Sequence, residues 1–108
     1  MDESVTRHLD QPAKTLKLSE AIRIGSRIRP KCCGQPFRRG MSCAIGAAYE
    51  AIYGHPGDSD DCREHARIVA SLDHLAPSLS LGYDIGMARN DHGWTREQIA
   101  DWLQEMGY

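Results

Sequence analysis

Apolar residues recur three and four apart along most of this chain, and the gaps between those runs fall on proline, glycine and capping residues. After Ser19, the positions Ala21, Ile22, Gly25 and Ile28 share one helical face. Ser19 is the expected N-cap. Pro30 stops the run, because proline pushes the residue before it away from helical angles. Ser42 is the next cap, and from Cys43 to Tyr53 the residues Ile45, Ala48, Tyr49 and Ile52 align on one face. Ala44, Gly46, Ala47 and Ala51 lie among them, small enough to let a neighbouring helix approach. Gly54 closes this helix, and His55-Pro56-Gly57 is a turn.

Asp58, Asp60 and Asp61 place acidic side chains where the macrodipole of a third helix favours them. Its inward face runs from Cys62 or His65 through Ala66, Val69, Leu72 and Leu75, and Pro77 breaks it. Ser78 or Ser80 starts a fourth helix through Leu81, Ile85 and Ala88, weakened by Gly82 and Gly86. Asn90-Asp91-His92-Gly93 reads as a turn. Beyond it, Thr95 and Gln98 have the spacing of a reciprocal capping box, flanked by Trp94 and Ile99 at hydrophobic-staple positions. This last helix is expected to dock Ile99, Trp102, Leu103 and Met106 and to stop on Gly107.

The pattern predicts an all-α fold, a single compact domain of about five short helices over residues 15–108, after a flexible leader over 1–14. Residues 30–41 read as a loop from their Pro and Gly content. A chain of 108 residues suffices for one hydrophobic core and not for two. The net charge of −2 gives no basic footprint, so nucleic-acid binding is not favoured. No apolar run approaches a membrane span, and the polar first residues lack the apolar segment of a signal peptide. The expectation is a cytoplasmic protein whose four cysteines are reduced thiols or metal ligands.

Two kinds of chemistry are candidates. Cys62 and His65 are about one helical turn apart, so both can face one ion, and Cys32 and Cys33 can complete a tetrahedral zinc site. The spacing is not that of a standard finger, and the alternative is a set of free thiols with Cys62 as a small core residue. Cys43 follows the Ser42 cap, where the positive end of a helix lowers a thiol pKa. A thiol-dependent enzyme or redox sensor would centre there or on the Cys32-Cys33 pair; the alternative for Cys43, among Ala44, Ile45, Gly46 and Ala47, is a core residue. Asp58 to Asp61 do not make a calcium loop, since the glycine and glutamate such a loop needs are missing. Arg38 and Arg39, with Arg27, Arg29 and Lys31, form a local basic cluster able to contact phosphate or an acidic partner surface, the alternative being an ordinary solvated face.

Three segments, Leu18-Ser19-Glu20-Ala21-Ile22-Arg23, Ser42-Cys43-Ala44-Ile45-Gly46-Ala47-Ala48, and Asn90-Asp91 followed by Trp94 to Trp102, occur in order. Together they resemble a group of small, mostly uncharacterised bacterial and phage-associated helical proteins, over most of residues 16–106. The resemblance implies a helical fold and brings no established activity, so it assigns no catalytic residue. The expected function is a small non-enzymatic helical module that binds a protein partner, with the zinc-stabilised binding protein and the thiol enzyme as alternatives.

Overall fold

α2, Ala44–Tyr53, is the most enclosed helix in this computed structural model, which describes residues 16–57 and 62–108. Every residue from Ala44 to Glu50 is buried, as expected for a helix enclosed on all sides. α1, Leu18–Ser26, packs on one flank of it. α3, Cys62–Leu72, and a π-helical segment, Leu81–Met87, pack elsewhere on α2. α4, Arg96–Glu105, lies against α1. The small residues of α2 serve the close approach expected of them. A Cβ on Gly25 of α1 would overlap the Ala47 carbonyl oxygen, and one on Gly46 would overlap that of Pro36. The core between these helices is filled by Ile22, Ile68, Leu72, Leu81, Ile99 and Leu103, each at most 1% exposed.

The molecule is mostly helical, with one short exception. Part of the expected 30–41 loop is a hairpin of β1, Phe37–Arg38, and β2, Met41–Ser42, in antiparallel register Phe37 to Ser42 and Arg38 to Met41. The two linking residues, Arg39 and Gly40, have φ of 51° and 79°. Positive φ at both positions is what a tight two-residue hairpin requires. Arg-Gly is not the Asn-Gly pair that announces such a turn, which is why the hairpin does not stand out in the sequence.

Helix boundaries differ from expectation at five points, one of them the end of α3 at Leu72, followed by a 3-10 turn over Asp73–Leu75 before Pro77. The N-cap of α1 is Lys17, whose N–H donates to Glu20 Oε1 at 2.9 Å. Ser19 is buried in the first turn, and its N–H donates to the Tyr108 carbonyl at 3.1 Å. α1 ends at Ser26, so Ile28 falls outside the helix and is 48% exposed. Cys43, not Ser42, is the N-cap of α2. The segment after Ser80 is π-helical, with the Ala88 N–H donating to the Tyr83 carbonyl five residues back at 2.8 Å.

α4 begins as the sequence predicts. Thr95 Oγ1 accepts from the Gln98 N–H at 3.0 Å, and Gln98 Oε1 accepts from the Thr95 N–H at 2.9 Å. Gly107 has φ of 93° at its far end. Ile99 and Leu103 are fully buried and Trp102 is half-buried, whereas Met106 is 42% exposed rather than docked. The indole of Trp102 instead carries the Arg89 guanidinium, 3.6 Å from the ring centroid. The 1–14 leader and the acidic start at Asp58–Asp61 lie outside the described residues. No described helix is long and apolar enough to cross a membrane.

Candidate functional site

The N-terminus of α2 is where three separated parts of the chain meet. Asn90, in a short 3-10 turn over Asn90–His92, is completely buried. Its Oδ1 accepts from the Ala44 N–H at 3.1 Å, one of the helix-start donors that has no partner within the helix. Its Nδ2 donates to the Cys32 carbonyl at 3.0 Å. Asp91 Oδ1 accepts from the Gly34 N–H at 2.9 Å. The two side chains thus fix the 32–34 loop against the start of α2.

Arg96 performs the parallel task for α1. It is 9% exposed and donates to the carbonyls of Ser26, Arg29 and Ser42, at 3.2, 2.9 and 3.3 Å, and to Ser42 Oγ at 3.0 Å. Burial lowers its pKa from the usual arginine value. The Ser26 carbonyl is the last of α1 and Arg29 lies on its exit, while Ser42 belongs to β2, so a side chain of α4 ties the end of α1 to the hairpin.

Beside the Asn90 junction lies a cavity of about 200 Å³. Gly34, Gln35 and Pro36 of the loop form one wall, with Cys43 and Ile45 from the start of α2. His65 of α3 and Gly82, Gly86 and Met87 of the π-helical segment form the other side. The wall is mixed, with Ile45, Pro36 and Met87 apolar and Gln35, His65 and Asp91 polar.

The cysteines have different surroundings. Cys43 is buried, and burial pushes its thiol up to about 12 despite the Ile45 and Gly46 backbone N–H groups that favour the thiolate. A thiol protonated to that pH is not an available nucleophile at neutral pH. Cys32 is also buried and its pKa is raised by the same desolvation; Cys33 is exposed. Their sulfurs donate to different carbonyls, Cys32 to Gln35 at 3.4 Å and Cys33 to Asn90 at 3.6 Å. Of the four residues considered for zinc, His65 lines the cavity, Cys32 and Cys33 belong to the loop beside it, and the Cys62 side chain lies outside the description. Among the described residues no three Cys, His, Asp or Glu side chains come together as a metal cage.

The basic cluster separates into two groups. Arg29 Nε and Nη2 both donate to the carboxylate of buried Glu50 at 2.7 Å, and this hydrogen bonding raises the Arg29 pKa. Lys31 Nζ donates to the Trp94 carbonyl at 2.7 Å. Arg27, Arg38 and Arg39 are exposed. The candidate pair Arg38-Arg39 therefore stands at the hairpin tip, while Arg29 and Lys31 hold the fold.

Sequence reasoning missed Asn90 and Arg96 as junction residues, because a turn asparagine and a helix-start arginine look ordinary until their distant partners are known. The cavity had one signal, the pair of glycines that weakens the fourth helix. Compared with known proteins, the chain matches no family model, no curated protein and no solved structure.

Proposed function

We propose that this protein is a small non-enzymatic interaction module that meets an acidic protein surface through the hairpin tip Arg38-Arg39. One observation carries the reading. Arg39 holds a left-handed φ of 51°, a conformation that costs a non-glycine residue about 1 kcal/mol or more. Asparagine or glycine would fill that position with less strain. The fold gains no described hydrogen bond or ion pair from the Arg39 side chain, so its charge is better explained by something outside the molecule. The net charge of −2 favours an acidic protein patch met locally over a long phosphate backbone. Accessory roles of this kind fit the resemblance to small bacterial and phage-associated helical proteins, and a cytoplasmic setting belongs to the same reading.

The test pairs stability with binding. Arg39→Asn should stabilise the domain by about 0.5–1 kcal/mol in urea melts. The same substitution, with Arg38→Ala, should abolish salt-sensitive binding to fluorescent poly-glutamate. Unchanged poly-glutamate binding by the stabilised double variant would remove the hairpin from the interface. Tighter binding to a short DNA duplex than to poly-glutamate would replace the acidic protein by nucleic acid.

A further inference from the structure

Two glycines of the π-helical segment have no role in the fold. The chain's other eight glycines either take a left-handed φ or leave a neighbouring atom within 3 Å of where a Cβ would stand. At Gly86 a Cβ would meet nothing within 4 Å. At Gly82 it would meet only the Val69 methyls, at 3.8 and 3.9 Å, an ordinary contact. Neither has a positive φ. Alanine at either place would favour a helical backbone and touch nothing it should not. Both glycines line the cavity, about one helical turn apart; the missing side chain of Gly86 leaves its wall bare, while at Gly82 a Cβ would stand against Val69. The segment that carries them is π-helical, a geometry that is rare and recurs at functional sites.

We propose that this cavity binds a compact apolar group, the size of a single aromatic ring, bearing one hydrogen-bonding end. The size follows from the volume: an apolar cavity of about 150 Å³ accepts benzene, and this one is about 200 Å³. The apolar character follows from Ile45, Pro36 and Met87 and from the bare glycine wall. Gln35 and His65, which also line it, supply hydrogen-bonding groups for the polar end. Small-ligand sites combine an apolar lining with a few polar groups in this way. A free phenol-like molecule and a tyrosine side chain of a partner present the same chemistry.

Chemical-shift mapping of the ¹⁵N-labelled full chain, titrated with p-cresol, toluene and the capped tripeptide Gly-Tyr-Gly, tests this. The expected result is a saturable response to p-cresol at residues 34–36, 43–45, 65 and 82–87, weaker for toluene. Gly86→Leu should reduce p-cresol affinity by at least about tenfold by filling the space. Gly86→Ala, a smaller intrusion at the same place, should reduce it less and serves if the leucine variant does not fold. Tripeptide binding at the same residues would assign the site to a partner's side chain, and p-cresol binding without it to a free small molecule. No saturable response to either phenol, or full p-cresol affinity in folded Gly86→Leu, would overturn the proposal. None of these outcomes depends on Arg38 or Arg39, so the hairpin reading stands or falls separately.

Discussion

Asn90 caps α2 from 46 residues away, its Oδ1 accepting the Ala44 N–H at 3.1 Å while its Nδ2 donates to the Cys32 carbonyl. A cap is usually supplied by the residue at the helix start, but the N-cap here is Cys43, which makes no side-chain cap of the ordinary oxygen type. Asn90→Ala would leave a buried donor and a buried acceptor without partners. The expected loss is about 2–4 kcal/mol in urea unfolding. Asn90→Asp keeps the acceptor and loses the donor, placing a carboxylate against the Cys32 carbonyl, and should fall no closer to wild type than the alanine variant.

Arg96→Lys tests whether the guanidinium fork or the charge alone completes α1. A lysine has one nitrogen and cannot reach the Ser26, Arg29 and Ser42 carbonyls together. It should destabilise the domain by about 2–3 kcal/mol, and Arg96→Ala by more, as measured by the urea midpoint at constant m. A lysine variant as stable as wild type would mean that charge, not geometry, matters there.

The glycines of α1 and the π-helical segment should respond in opposite directions. Gly25→Ala drives a methyl into the Ala47 backbone and should cost about 3 kcal/mol or more, because two helices must separate. Gly86→Ala meets open space and should be neutral or stabilise by up to about 1 kcal/mol. Thermal melts of the two single variants are sufficient to compare them.

Cys43 gives the domain an alkaline limit. A thiol is neutral when protonated, and burial raises its folded pKa to about 12, whereas the unfolded thiol titrates near about 8.5. The folded state therefore keeps the proton that the unfolded chain loses. This stabilisation is complete below about pH 8.5 and is lost as pH rises towards about 12. Between pH 9 and 11 the unfolding free energy of wild type should fall by up to about 1.4 kcal/mol per pH unit relative to Cys43→Ala. Parallel denaturant curves with equal pH slopes would show that the thiol ionises as easily folded as unfolded. At pH 8 a chain retaining only Cys33 should react rapidly with a thiol reagent, and one retaining only Cys43 slowly.

What could be read from the sequence was local. The Thr95–Gln98 box, the Gly107 stop and the small face of α2 depend on neighbours within a few residues, and each has its predicted place. Ile28 lies outside the helix its spacing predicts because α1 ends at Ser26, where Arg96 of another helix takes the Ser26 and Arg29 carbonyls. The hairpin was hidden because Arg39 occupies a left-handed position where asparagine would have announced the turn. Arg38 and Arg39 could be found as a charge pair, but separating them from Arg29 required the Glu50 contact, 21 residues downstream. The cavity depends on loop, α2, α3 and π-helical segment together, and only its two glycines left a trace in the sequence.

Arg96 also bears on the order in which this chain can fold. The Ser26 and Arg29 carbonyls wait for a donor 70 and 67 positions later. A nascent α1 can form its own turns, yet its exit stays unsatisfied until α4 arrives. Local helix formation, which finishes in microseconds, is therefore separated from a closure that spans most of the chain. Both tryptophans, Trp94 and Trp102, flank or lie in the arriving element, so their fluorescence reports that closure directly.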